Sequence, residues 1–317
     1  MSQSFSTCST VRSRRRFFSA AVLAAATIAA QRSRAVDGDM AMRKIGLGFS
    51  LYGMKTLPLV EAIQACRAIG YDSIELPVMA EWPADSAKLS VEARKELRRA
   101  LADSGLRLSA IMENLPALVD ETKQQPNLAR LKAAAELARD LSPGEPAVIE
   151  TILGSGAGKW DAVKQQLVEK LSDYAAVLAE AKVTLAIKAH INNAMQRPEQ
   201  VVWLLQQVDS PWIKAAYDYS HFQLQGLKLA DTLTVLLPHT RFIHVKDSKT
   251  MGAKWQFALP GEGTIDYAEL GRLVATGGYK GDIVVEVSGQ VSSRAGYDPI
   301  AAAKKCYEHL RPRVSRQ

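Results

Sequence analysis

The chain has 317 residues, enough for one large domain or two small ones, and 47% of them are apolar, so material for a core is ample. Its formal charge of +7 is concentrated: Arg12, Arg14, Arg15, Arg16, Arg32 and Arg34 fall within residues 1–35, which hold no acid, and the remainder carries a net +1. A body so near neutral has no basic excess to drive nucleic-acid binding, and with Cys8 in the arginine-rich leader, Cys66 and Cys306 alone cannot build a disulfide framework.

The leader comes first. Val11–Arg16 is a positive region, Phe17–Ala30 is an apolar run too short to span a bilayer comfortably, and Ser33-Arg34-Ala35 puts small residues where a signal peptidase reads. This predicts a cleavable signal peptide over residues 1–35. The protein is then exported, periplasmic or extracellular, with no membrane attachment once the leader is removed. Ser13-Arg14-Arg15-Arg16-Phe17-Phe18 is similar to a twin-arginine motif, with Phe18 where leucine is commoner; that route exports proteins already folded. An ordinary arginine-rich secretory leader and an uncleaved anchor are the alternatives.

From about residue 43 the pattern alternates. Short runs rich in β-branched residues predict strands at Ile45–Ser50, Ser73–Leu76, Leu106–Ile111, Ala147–Ile152, Val183–Ile187, Ile213–Tyr217, Phe242–Val245 and Asp282–Val287. Stretches of helical period lie between them, near 58–69, 91–104, 127–141, 160–181, 197–208, 227–237, 266–276 and 298–310. Gly70, Gly105, Gly144 and Gly278 punctuate the returns from helix to strand, and Cys66 and Cys306 fall in helices, where small core residues are expected. Eight strand–helix units in roughly 270 residues are what a closed parallel barrel needs, so residues 43–312 are predicted to form a single (β/α)8 TIM barrel of the α/β class. A doubly wound open sheet is the rival. It usually has a glycine-rich phosphate loop after its first strand, and Phe49-Ser50-Leu51-Tyr52-Gly53 is not one.

In such a barrel chemistry sits where strands end. The second strand ends in Ser73-Ile74-Glu75-Leu76, the third leads into Met112-Glu113-Asn114, and the fourth carries Glu150. The fifth gives Lys188-Ala189-His190, the sixth Asp218-Tyr219-Ser220-His221, the seventh His244-Val245-Lys246-Asp247-Ser248-Lys249, and the eighth Glu286. A strand that only built the core would not need an ionisable residue there, because a buried charge must be paired or bound. Asp218, His221, His244 and Glu286 come from three consecutive strands and converge at the barrel mouth; carboxylate and imidazole together suit Mn²⁺, Mg²⁺, Co²⁺ or Zn²⁺.

Here the sequence resembles the xylose-isomerase-like barrels, a superfamily that includes ketose 3-epimerases, inosose dehydratases, hydroxypyruvate isomerases and the endonuclease IV type. The resemblance covers about Lys44 to Arg311. It is carried by Tyr71-Asp72-Ser73-Ile74-Glu75-Leu76, Asp218-x-x-His221, His244-Val245-Lys246-Asp247, Gly261-Glu262-Gly263-Thr264-Ile265-Asp266 and Val284-Val285-Glu286-Val287. In the sugar epimerases of this family a divalent metal is held by a Glu on the fifth strand, an Asp on the sixth, a His on the seventh and a Glu on the eighth. The resemblance thus implies Asp218, His244 and Glu286 as metal ligands, with Glu286 also as acid/base. The fifth-strand Glu usually stands in Leu-x-Ile-Glu-x-His, and this chain reads Leu185-Ala186-Ile187-Lys188-Ala189-His190. Three readings follow. The metal is replaced by the Lys188 ammonium, pairing with Asp218 and Glu286. Or the metal stays on three ligands and Lys188, its pKa lowered, acts as a base. Or the site only binds.

The endonuclease IV branch needs a three-metal cluster with further histidines on earlier strands. No histidine precedes His190, and Trp255-Gln256-Phe257-Ala258-Leu259-Pro260 holds no Asp-x-His pair. The expectation is an enzyme on a small sugar or sugar derivative, working by proton abstraction next to a carbonyl, with Glu286 and Lys188 catalytic. His190, Lys246, Glu75, Glu150 and His221 are candidate substrate contacts, although Glu75 and Glu150 could instead pair with Lys188. Lys246 and Asp247 either reach substrate or form a salt bridge within their loop. Trp82 and Trp255 could stack on a sugar face, and Gly261–Gly263 shapes the loop that returns the chain to the seventh helix. A homo-oligomer fits the family habit. The rival is an exported sugar-binding barrel without turnover.

Overall fold

The computed structural model describes residues 45–117, 121–154, 156, 158–252 and 254–314. The predicted signal peptide lies outside them, as do the first two residues of the predicted barrel domain. Eight short apolar runs form parallel strands: β1 Leu47–Ser50, β2 Ser73–Pro77, β3 Arg107–Met112, β4 Val148–Ile152, β5 Leu185–Lys188, β6 Ile213–Asp218, β7 Thr240–Val245 and β10 Ile283–Val285. They close in the order β1-β10-β7-β6-β5-β4-β3-β2. The predicted barrel is therefore present, and the open-sheet rival is excluded.

Parallel neighbours need a crossover, and a helix supplies it each time. The ring is α1 Leu59–Ile69, α2 Val91–Ser104, α3 Gln124–Leu141, α4 Trp160–Ala181, α5 Pro198–Val208, α7 Leu229–Leu236, α8 Tyr267–Thr276 and α10 Pro299–Val314. Short helices α6 Tyr219–Gln223 and α9 Gly289–Ser292 follow β6 and β10. Local chemistry sets the boundaries. The Ser90 hydroxyl accepts from Ala93 N and Asp266 Oδ1 from Ala268 N and Glu269 N, so two helices begin capped. Gly70 ends α1 at φ 109°, a conformation open to glycine. Cys66 and Cys306 are buried free thiols, as expected of core residues.

One element was not anticipated. Asp247–Met251 (β8) and Lys254–Ala258 (β9) form an antiparallel hairpin just after β7, where the sequence reads as loop. It is fastened to the barrel mouth by Phe257 N donating to Gln290 Oε1 at 2.8 Å and Arg294 Nη2 donating to Phe257 O at 3.3 Å.

The interior is layered. Ala110, Val148, Ala186, Ala216, Phe242 and Val284 pack together inside the barrel, apart from the larger core between strands and helices. Side chains two residues apart on a strand share a face. Two positions further along β4, β5, β6, β7 and the end of β10 stand Glu150, Lys188, Asp218, His244 and Glu286. An apolar plug thus closes the barrel from below, and the next layer up is charged.

Candidate active site

Three strand ends meet at Lys188. Its Nζ lies 3.0 Å from His244 Nδ1, 3.2 Å from Glu286 Oε2 and 3.0 Å from Glu150 Oε1, the last an ion pair off the direct line of a hydrogen bond. Burial alone would lower the Lys188 pKa, but Glu150 first, then Glu286, Asp218 and Glu75, hold it above its ordinary value. The lysine is therefore charged at neutral pH, which argues against the lowered-pKa base that the second reading pairs with a bound metal. Burial raises the Glu150 carboxyl, with Lys188 and His244 opposing.

His244 is fully buried between two partners. Its Nε2 lies 2.9 Å from Glu75 Oε2 and its Nδ1 faces Lys188. Glu75 and Glu286 raise its pKa against burial and the Lys188 charge. An ammonium can only donate, so Nδ1 carries the lone pair and the ring proton sits on Nε2, donated to Glu75.

A second lysine completes the layer. Lys246 Nζ donates to Asp218 Oδ2 and, at 2.6 Å, to Glu286 Oε2, and lies 4.9 Å from the centre of the Phe257 ring. Asp218 Oδ1 also accepts from Ser220 N and Oγ. Burial would raise Asp218 and Glu286, but Lys246 beside the first and Lys188 with Lys246 beside the second hold both well below the carboxylate range. Lys188 thus pairs with Glu286 and Glu150. It does not pair with Asp218, which belongs to Lys246.

Above this layer lies a cavity of about 140 Å³, its lining including Tyr52, Asn114, His190, Lys246, Phe257 and Glu286. His190 Nδ1 sits 2.7 Å from Ile191 O. A carbonyl only accepts, so Nδ1 holds the proton and Nε2 the lone pair. Burial, Lys246 and Lys188 lower the His190 pKa to about 4, so the ring is neutral at pH 7.

The remaining predicted residues divide. Glu75 lies beneath the cavity as the partner of His244, and Glu150 pairs with Lys188 while still lining the cavity. His221 does not line the cavity: it is fully buried, its Nδ1 accepts from Ile191 N at 3.3 Å, its Nε2 is 3.4 Å from Asp218 Oδ2, and its ring packs 4.0 Å from that of His190. Asp247 does not line it either. Its carboxylate accepts from Gly261 N at 2.9 Å and Ile265 N at 3.2 Å, rooting the hairpin, and a Cβ on Gly263 would fall 2.2 Å from Asp247 Oδ1. Trp82 does not line this cavity: Tyr52 stacks on it at 4.9 Å, Lys55 Nζ lies 4.4 Å from its ring centre, and the half-buried ring borders a separate surface cavity with Lys55 and Lys88. Trp255 packs edgewise on Phe257. Sequence reasoning missed Tyr52, Asn114 and Phe257 as lining residues. The alternation of Trp255 and Phe257 was the available signal for the last.

Two groups of three donors among the described residues lie within 4.8 Å of one another: Asp218, His244 and Glu286, and Glu75, Glu150 and His244. Either could hold a divalent cation by ligand type and spacing. Yet the His244 Nδ1 and Glu286 Oε2 of the first group are the atoms that Lys188 engages.

A family model described as xylose isomerase-like TIM barrel matches residues 63–313. The chain belongs to this family. The inosose dehydratase of Geobacillus thermodenitrificans strain NG80-2 is 23% identical over 168 residues, which cover 48% of this chain and 54% of that protein. The chain spans about half the length of the curated relatives it matches. Among solved structures, the IOLI protein with a bound zinc atom superimposes with a TM-score of 0.71 at 17% identity, covering 86% of this chain and 100% of that one. D-psicose 3-epimerase with D-tagatose, from Clostridium cellulolyticum H10, gives a TM-score of 0.70 at 17% identity, with the same coverage. At these identities the structural likeness shows the fold of this xylose isomerase-like barrel.

Proposed function

We propose that this family member is an exported enzyme that moves a proton at a carbon next to a carbonyl in a small, uncharged sugar or sugar derivative. Isomerisation, epimerisation and β-elimination share that step. The observation that carries the reading is the convergence of three groups on one cavity: the ionised carboxylate of Glu286, the ammonium of Lys246 and the neutral imidazole of His190.

Glu286 takes the proton from carbon. The C–H electron pair moves into the carbonyl, and the negative charge that develops on oxygen is met by Lys246, whose third N–H has no hydrogen-bond acceptor among the described residues. Nε2 of His190 accepts a hydroxyl proton where the carbonyl must migrate. Return of the carbon proton from Glu286 to the neighbouring carbon isomerises, delivery of a proton to the other face of the same carbon by water epimerises, and departure of the hydroxyl on the next carbon, as water with the proton Glu286 holds, eliminates. Lys188 also lines the cavity; its Nζ is hydrogen-bonded to His244 and Glu286 and ion-paired with Glu150, and its part runs through those groups. Both ammoniums in the cavity lining, Lys188 and Lys246, are already matched by Glu150, Glu286 and Asp218, which favours an uncharged substrate over a phosphorylated one. The relatives' names, an inosose dehydratase and a psicose epimerase, favour a sugar-like substrate. The arginine-rich leader supports export.

The test is incorporation of solvent deuterium at carbon in candidate inososes and ketoses, followed by NMR. Exchange that disappears in Glu286→Gln is expected. Saturable binding with no exchange would replace the enzyme with a sugar-binding barrel, a reading favoured by the ion pairing of Glu286, Asp218 and Glu150.

A further inference from the structure

The fifth strand brings an ammonium to a place where every atom around it is arranged for a cation. Glu75 holds the His244 ring by Nε2 at 2.9 Å, which turns the Nδ1 lone pair inward. Glu286 Oε2 points to the same spot, 3.5 Å from Nδ1. Imidazole nitrogen and carboxylate oxygen converging in this way are metal donors, with Glu75 in the place of the carboxylate that orients a ligating histidine. Lys188 Nζ lies within 3.2 Å of both. Glu150, buried on the adjacent strand, gives the ammonium a third partner. A charge this deeply buried is sustained only by such pairing.

We infer that Lys188 is the resident cation of this site, its ammonium taking the place of a divalent ion at His244 and Glu286 and holding such ions off those two atoms. An ion that entered would have to displace an ammonium with three partners and leave Glu150 facing it or unpaired. Lys188 is then a positioning residue, which fixes the Glu286 carboxylate and the His244 tautomer, while Lys246 is the cation that meets substrate. This inference deepens the proposed reaction and shares its cluster. It is tested without substrate, so loss of deuterium exchange and gain of metal are independent results.

The experiment uses the full chain, stripped with EDTA and titrated with Mn²⁺, free ion being followed by electron paramagnetic resonance and stability by thermal unfolding. The wild type is expected to bind Mn²⁺ weakly and to show no Mn²⁺-dependent rise in Tm. Lys188→Glu, which adds a carboxylate, and Lys188→Met, which removes the competing charge, are expected to bind Mn²⁺ about 10–100-fold more tightly, the range seen when one group around a metal is changed. Their Tm should rise with the ion. Tight binding of about one Mn²⁺ per wild-type chain overturns the inference, and that arm stands even where a variant does not fold. A folded Lys188→Glu variant that binds no better than wild type overturns it too, because the donors would then not be a cation's.

Discussion

At the scale of single residues, Glu286 is where the site's electrostatics meet. Two ammoniums hold it ionised, and its side chain keeps 13% exposure in a layer otherwise closed to solvent. A carboxylate stabilised this well is a weak base. It can take a proton from carbon only if the charge left on oxygen is met at the same time, and Lys246 is placed for that. Glu286→Gln should therefore lower the exchange rate by about 10²–10⁴-fold, and Lys246→Met by about 10²–10³-fold, with far-UV circular dichroism unchanged. An Lys246→Met enzyme of near-normal kcat would move the electrophile elsewhere. The departure at Lys188 was legible in the sequence because the run Leu185–His190 is otherwise regular. Its pairing with Glu150, 38 positions away in the chain, was one of two roles left open for that carboxylate, and the structure shows the ion pair because β4 and β5 lie side by side.

At the scale of elements, the β8–β9 hairpin decides what covers the cavity. Its root is Asp247, which serves two backbone N–H groups of the 261–265 loop, and its second strand brings Phe257 to the cavity and the Lys246 ammonium. Asp247→Ala leaves both donors unpaired and should cost about 1–3 kcal/mol in urea unfolding, with a rise in KM as Phe257 loosens. Unchanged stability would mean that water replaces the carboxylate. The hairpin was hard to see in the sequence. Its first strand, Asp247-Ser248-Lys249-Thr250-Met251, shows no apolar alternation, because its position comes from the loop contacts at its base. His221 misled for the opposite reason. A histidine three residues after a strand-end aspartate looks like a ligand, but the turn of α6 folds it beneath His190 and away from the cavity.

The whole molecule couples folding to the neutral state of buried histidines. His190 and His221 titrate near 6.5 in an unfolded chain, whereas burial first, then Lys246, lowers them to about 4 and about 3 in the fold. Between those values the unfolded chain takes up protons that the folded chain refuses. The stability these two histidines contribute is therefore full above pH 6.5 and falls as the pH drops toward 4, each losing about 1.4 kcal/mol for every pH unit travelled below its unfolded value. Asp218 and Glu286, whose pKa values the lysines depress, add a further loss below the ordinary carboxylate range. Glu113, raised by burial to about 7, and the raised Glu150 and His244 take up protons in the fold over the same range and offset part of this loss, so the histidine share is read by difference: in urea titrations at pH 7.5, 5.5 and 4.5 the fall should be smaller in His190→Asn than in the wild type, and an identical profile would mean that this ring is protonated in the fold.

The amino-acid sequence by itself determined the barrel and the height of its working layer. Apolar β-branched runs, helical periods and glycines at the returns are local signals, and the alternation of side chains along a strand carries them inward: where Val148, Ala186, Ala216, Phe242 and Val284 face the interior, Glu150, Lys188, Asp218, His244 and Glu286 must face it two positions on. Only the tertiary structure decided who pairs with whom. Strand stagger and side-chain reach across the barrel put Lys188 on Glu150 and His244, gave Asp218 to Lys246, and set Glu75 behind the imidazole. Those are distances across a closed interior, and no spacing along a chain encodes them.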